Sequence, residues 1–447
     1  MNRHARAGSD ERQRGDPRAP RDEGAMPAPL VEGDVGRERR ETPSPTATAI
    51  VREDAERAEG RGGRGPELGR EPRGRMVRNS RRVMRPRTGR VICRLRRRAT
   101  ASACRLRVDD ENGALMRDIP FVFSGPVGRL AGTLSTPEDD GPWPAVILAS
   151  GSGAHDRDES VCGHKPFLVL SEHLTRRGSA VLRFDDRGVG ESAGDPAATT
   201  FDDAVEDLSS AFDALVRHAG VDPKRITLCG HSEGGLTALA VAARRAVHAV
   251  VMLATPIEPI EGLLHGQARR ISLEMGATEA QIAHERAMNE RVFSLARAGA
   301  DDALIQAEIA RALERWPGLP AASPGAIAEN AAAMTSVVAS PAYRSLLRQR
   351  PERLLAAVTC PVLALFGGLD SQVPAPANTA AFLASKAPHA CSEARVFDRL
   401  NHLFQAARTG SIEEYERLDP GPAVEVVDAL CAWLGRLEAA GRPCPAG

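Results

Sequence analysis

The sequence predicts an α/β fold: a mostly parallel sheet flanked by helices, with a helical cap insertion and a disordered N-terminal tail. Three observations lead to it. From about residue 118 short apolar runs alternate with amphipathic helical patterns; residues 257–352 lose that alternation and stay helical in period; and residues 1–110 are aperiodic and rich in Arg. The implied division is a tail over 1–110, a core in two parts over 111–256 and 353–440, and the cap over 257–352.

The tail is defined by charge. Overall the chain balances 59 basic against 59 acidic residues, but residues 1–110 hold 28 Arg, no Lys and 17 acids, a net charge of +11. The remainder therefore carries −11. Too few apolar groups occur in the tail to offset the entropy of ordering it. Twelve Arg and no acid lie between Arg78 and Arg107. Such a run could contact nucleic acid or an acidic surface, but an unstructured tail, or upstream sequence ahead of a start at Met116, is the expectation.

The first half of the core follows in order. FVFSG and GRLAGTLSTP read as an antiparallel hairpin, and PAVILASGSG as a buried strand ending in a glycine-rich turn. HKPFLVLSEHLTRRG reads as a helix stopped at Gly178. SAVLRFDD is a strand, and TTFDDAVEDLSSAFDALVRHAG a helix with Thr or Asp at its cap. RITLCG, the helix through LTALAVAARRA, and HAVVMLATP continue the alternation.

After the insertion, CPVLALFGGLD reads as a strand, PANTAAFLASKA as a helix, EARVFD as a strand and AVEVVDALCAWLGRLEA as the last helix. A helical insertion between two strands would cap one end of the sheet, and sites in such sheets lie at the carboxyl ends of strands.

Other classes are excluded or disfavoured. No run approaches the ~18 apolar residues that cross a bilayer, and the first residues contain no apolar core for a signal peptide. The eight cysteines are scattered with no Cys-x-x-Cys pair, so neither a disulfide framework nor a zinc site is expected. A cytoplasmic, reducing location is the expectation.

The strongest chemical signal is Gly230-His231-Ser232-Glu233-Gly234 between a strand and a helix. A nucleophile on a sharp strand-to-helix turn needs glycine on both flanks, because side chains there would strike the neighbouring elements. Ser232 is thus the candidate nucleophile. A serine hydroxyl needs a base, and in this kind of fold the order is Ser, acid, His. Asp370 follows the strand PVLALF, and His402 follows the last strand. His155, His164 and His231 precede or abut the nucleophile and are read as solvated or core-satisfied. Asp398, four residues before His402, is the competing acid. Ordinary Asx-turn chemistry is the other reading of Asp370.

Ser150-Gly151-Ser152-Gly153 occupies the turn that donates one oxyanion N–H. Ser152 is the first choice there, Gly153 the next, and the second donor is the N–H of Glu233. Two charged clusters flank these turns, Asp156-Arg157-Asp158-Glu159 and Asp185-Asp186-Arg187-Gly188. Both are read as ion pairs that brace loops.

Taken together, GSGAHDRDE, HKPFLVLSEHLTRRG, VLRFDDRGVGES, GHSEGG, CPVLALFGGLDSQVP and LNHLFQAARTG resemble bacterial α/β-hydrolase carboxylesterases. That group is similar to the dienelactone-hydrolase and prolyl-oligopeptidase-related branch of the fold. The resemblance spans about 118–437 and assigns nucleophile, acid and base to Ser232, Asp370 and His402. It implies hydrolysis of short to medium acyl esters, with a small-molecule ester as substrate and no metal or organic cofactor. A serine aminopeptidase-like peptidase and a thioesterase are the alternatives, and binding of nucleic acid through the Arg-rich arm is a third. Prolyl oligopeptidases gate their sites with propellers of repeated ~40-residue blades, and residues 1–110 contain no such repeat.

Overall fold

The computed structural model describes residues 105–108, 115–318, 323–385 and 389–439. Most of the expected tail lies outside them. Arg105–Val108 does not: it forms strand β1, antiparallel to β2 (Leu115–Gly125). The sequence Arg-Leu-Arg-Val alternates polar and apolar, which suits an edge strand, but it sits in Arg-rich surroundings that mask the pattern.

The remaining strands are β3 (Gly128–Thr136), β4 (Trp143–Ala149), β5 (Ala180–Phe184), β6 (Val221–His231), β7 (Ala249–Leu253), β8 (Val362–Gly367) and β9 (Glu393–Phe397). They form one sheet in the order β1-β2-β3-β5-β4-β6-β7-β8-β9. Pairings from β1 through β3 to β5 are antiparallel; those from β5 through β4 to β9 are parallel. The central strands read as unbroken apolar runs because helices cover both their faces.

On one face lie α1 (Pro166–Arg176) and the last helix, α11 (Val424–Ala439), whose Leu170, Leu174, Val427, Leu430 and Trp433 pack on Val146, Val181 and Val251. On the other lie α2 (Phe201–Val216) and α3 (Glu233–Ala242). Helix α2 starts with a capping box in which Thr200 and Asp203 satisfy each other's amides. Helix α3 is buried from Gly234 to Ala242, so its composition is apolar all round.

Between β7 and β8 the chain runs through α4 (Ile260–Glu274), α5 (Glu279–Arg297), α6 (Asp302–Glu314), α7 (Pro324–Val338), α8 (Pro341–Leu346) and α9 (Pro351–Ala357). Met288, Val292, Ile305, Ile309 and Ala331 of these helices belong to the same apolar cluster as α2, α3 and their side of the sheet. The segment is therefore anchored by a shared core rather than by its ends alone. Helix α10 (Ala375–Ala384) follows β8. Cys391 is disulfide-bonded. Among the described residues no helix is long and apolar enough to cross a membrane.

Register sets the site. Ala149 at the end of β4 lies beside Gly230 of β6, bringing the turn after β4 against the turn after β6. Gly367 at the end of β8 lies beside Phe397 of β9, so the turns that follow these strands also meet.

Candidate active site

Ser232 sits between β6 and α3 with φ 51° and ψ −121°, a left-handed conformation that is costly for a residue bearing a Cβ. Its N–H donates to the Leu253 carbonyl at 2.8 Å. The flanking glycines explain why the turn can exist. A Cβ on Gly230 would strike the Gly234 carbonyl, and one on Gly234 would strike the carbonyls of Ala149 and Ser150.

Asp370 follows β8 and is 4% exposed. Its Oδ2 accepts from His402 Nδ1 at 2.8 Å. Its Oδ1 accepts from the N–H groups of Gln372 and Val373, each at 2.8 Å. One oxygen of Asp370 thus makes an Asx-type turn and the other faces the imidazole of His402. His402 lies in a turn shaped by buried Asn401, whose Oδ1 accepts from the amides of Leu403 and Gln405. Gly367 and Gly368 let this turn approach, since a Cβ on either would collide with backbone of Leu400, Asn401 or Asp398. Asp398 itself is exposed in the turn after β9.

Ser232 and His402 line one cavity of about 330 Å³. Ser152, Gly153 and Glu233 share it. The Gly151 N–H is engaged by Glu159 Oε1 at 2.7 Å, which leaves the Ser152 amide next along the turn. The Glu233 amide is in the first turn of α3, where N–H groups lack intrahelical acceptors. Ser152 Oγ donates to Glu233 Oε2 at 2.6 Å, tying the two turns together. Burial pushes the Glu233 carboxyl up, partly countered by that bond.

The three rival histidines are satisfied elsewhere. His155 Nε2 donates to the Ser152 carbonyl at 2.9 Å, and His164 Nε2 to the Tyr415 carbonyl at 2.7 Å. His231 directs Nδ1 to Glu159 Oε1 at 2.9 Å and Nε2 to the His402 carbonyl at 3.1 Å.

Both charged clusters lie against these turns. Arg157 pairs with Asp185 at 2.6 Å, and Arg183 with Asp158. Asp186 accepts from Ser150 Oγ at 2.7 Å and the His155 amide at 2.9 Å, and burial pushes its carboxyl up to about 7. Glu159 goes further than bracing an ion pair: it reaches the turn after β4 and, through His231, the turn of His402. Nothing local in the sequence marks that reach.

Apolar groups dominate the rest of the cavity. Pro256, Ile260, Leu263, Val337, Tyr343 and Leu346 come from the β7 end and the inserted helices. Gln372, Ile412 and Tyr415 line it from the other side, and sequence reading had singled out none of these. Among the described lining residues, Glu159 and Glu233 are the acids, and neither belongs to the inserted helices. Among the described residues no group of His, Cys, Asp and Glu is arranged to hold a metal ion.

Comparison with known proteins gives partial matches. The family described as "Serine aminopeptidase, S33" matches residues 165–298. Esterase EstD of Thermotoga maritima is 27% identical over 312 residues, covering 69% of this chain and 66% of EstD. Thiohydrolase aneE of Aspergillus aculeatus is 32% identical over 117 residues, covering 26% of this chain and 33% of that protein. The chain therefore spans just under two thirds of EstD and about a third of the thiohydrolase. Among solved structures, the Pyrococcus furiosus esterase PF2001 aligns with a TM-score of 0.43 at 15% identity, covering 72% of this chain and 91% of that one. By its sheet order, strand pairing and serine turn, the chain has the α/β-hydrolase fold, and it resembles the esterases of that fold.

Proposed function

We propose that this protein is a serine hydrolase that cleaves carboxylic esters of short to medium acyl chains through an acyl-enzyme. The observation that carries the reading is one apolar cavity lined by both Ser232, on its strained turn, and His402, whose Nδ1 is held by Asp370. Because Asp370 fixes the Nδ1–H tautomer, Nε2 of His402 is the nitrogen free to take a proton. In the first half-reaction His402 accepts the Ser232 hydroxyl proton as Oγ bonds to the ester carbonyl carbon. The carbonyl oxygen becomes an oxyanion facing the amides of Ser152 and Glu233. Collapse breaks the C–O bond, and the alcohol leaves with the proton from His402. Water repeats the sequence and releases the acid. Each oxyanion donor is worth about 10²–10³ in turnover.

The aminopeptidase reading draws on the S33 match and requires acids placed to hold a substrate ammonium. Glu159 is occupied by His231, and Glu233 by Ser152. The apolar lining favours an acyl chain instead, and a thioester would react by the same steps. Purified protein should be tested on p-nitrophenyl acyl esters, acyl thioesters and aminoacyl amides in parallel. A fluorophosphonate should label Ser232 and fail on Ser232→Ala. Specificity constants for aminoacyl amides equal to those for short esters would reverse the ranking, and labelling elsewhere would displace the nucleophile.

A further inference from the structure

A second imidazole–carboxylate pair lies beneath the one described above. Glu159 is 2% exposed and His231 7% exposed. Oε1 of Glu159 receives two donors, the Gly151 amide at 2.7 Å and His231 Nδ1 at 2.9 Å. The other nitrogen of His231 meets the backbone carbonyl of His402 at 3.1 Å, and the two imidazole rings are 4.7 Å apart between centroids. Oε2 of Glu159 is buried without a hydrogen bond among the described residues. Glu159 also holds φ at 51°, the left-handed region, without being glycine. A strained acid kept in the interior at this point is held by its surroundings for a reason.

We propose that Glu159 and His231 are positioning residues: as a buried ion pair they lock the oxyanion turn, the nucleophile turn and the His402 turn into one register. This rests on the reading of Ser232 and His402 as catalytic. The chemistry of the contacts requires the ion pair. Both ring nitrogens of His231 face oxygens, one a carbonyl that only accepts and the other of Glu159, so with Glu159 ionised both must carry protons for both bonds to form. An imidazolium with so little exposure needs a counter-charge, and Glu159 is the carboxylate in contact. Other charged or titratable neighbours are His155, Asp186 and Cys229, facing Glu159, and Asp370 and His402, facing His231. The directions agree. Burial is the largest single influence and works against both charged forms, yet the partner together with the surrounding hydrogen bonds and charges outweighs it, holding His231 up and Glu159 down.

Glutamine at 159 separates this role from mere packing. It matches Glu in shape and can still offer one oxygen to both the Gly151 amide and His231 Nδ1. It offers no charge, so His231 loses its proton at lower pH and then keeps only one of its two bonds. In Glu159→Gln, kcat should fall about 10- to 100-fold with KM changed less than about 2-fold. The descending alkaline limb of kcat, set by loss of the His231 proton, should move to lower pH than in the wild type. Unchanged kcat and an unchanged profile would overturn the proposal. Wild-type protein tests it independently of folding in the variant. Nitrogen-15 NMR of histidine-labelled protein at pH 7.5, assigned with His231→Gln, should show both His231 nitrogens protonated. A neutral His231 would overturn it as well. Fluorophosphonate labelling of the wild type at a residue other than Ser232 would instead remove the catalytic reading on which the proposal stands.

Discussion

Asp370 uses its two carboxylate oxygens for different tasks, and His402 depends on the division. Oδ1 is fixed by the amides of Gln372 and Val373, which sets the side chain's rotation and leaves Oδ2 aimed at His402 Nδ1. An acid held by two backbone donors cannot swing away from its imidazole when substrate enters.

Asp370→Asn should therefore keep the turn while presenting an N–H to His402 or losing an amide contact. Turnover should drop on the order of 10⁴-fold with little loss of stability. Asp398→Asn should be silent in the same assay, because Asp398 is exposed in its turn. Steady-state kinetics on one ester would decide, and the reverse result would move the acid to Asp398.

Chain-length preference should respond to Tyr343. Its ring lines the cavity and packs near Phe293, at 6.0 Å between centroids. Tyr343→Ala opens room at the apolar end for about two more methylenes, each worth about 0.8 kcal/mol. The ratio of specificity constants for an eight-carbon over a four-carbon p-nitrophenyl ester should rise about 10-fold. An unchanged ratio would place the acyl chain elsewhere in the cavity.

Arg187 should be needed for folding rather than turnover. Its guanidinium donates to Asp203 at 2.7 Å and to both oxygens of Asp207, and the Arg187 and Asp207 side chains are each 7% exposed. Arg187→Met strands a buried carboxylate and should cost about 3–5 kcal/mol in urea unfolding. Adding Asp207→Leu should recover much of the loss. No recovery would mean that packing, not the unpaired charge, was responsible.

These residues differ in how visible they were beforehand. Ser232, Asp370 and His402 each follow a strand with recognisable turn chemistry, glycines on both sides of the serine and a glycine pair before the acid. Strand and helix periods were equally local. Glu159 was visible only as one of four charged residues in a row. Its contact with His231 spans 72 positions in sequence, and only the sheet order brings them together. Strand β1 was hidden for another reason: four residues of alternation carry little signal inside an Arg-rich stretch. The cavity wall was invisible because helix period locates an apolar stripe but not what it faces.

The contribution of Asp186 to stability should fall as pH rises from about 4 to about 7. Its carboxyl is raised from the ordinary aspartate range to about 7, with burial as the main cause. Over that window the unfolded chain has released this proton while the folded protein still holds it. The folded state therefore binds more protons, and its advantage declines with rising pH. Glu285, buried in α5 beside Ser272 and also raised to about 7, acts with the same sign. Acids held low, such as Asp185 beside Arg157, act below this window and in the opposite direction. Asp186→Asn keeps the shape and removes the titration. Urea unfolding of wild type and variant at pH 5 and pH 8 should show the variant's decline smaller by about 2 kcal/mol. The amide must serve Ser150 and the His155 N–H with only one acceptor oxygen, so the variant should be the weaker protein at pH 5 and approach or exceed the wild type at pH 8. Equal declines in the two proteins would show that Asp186 is ionised in the fold throughout, with the Ser150 and His155 bonds compensating its burial.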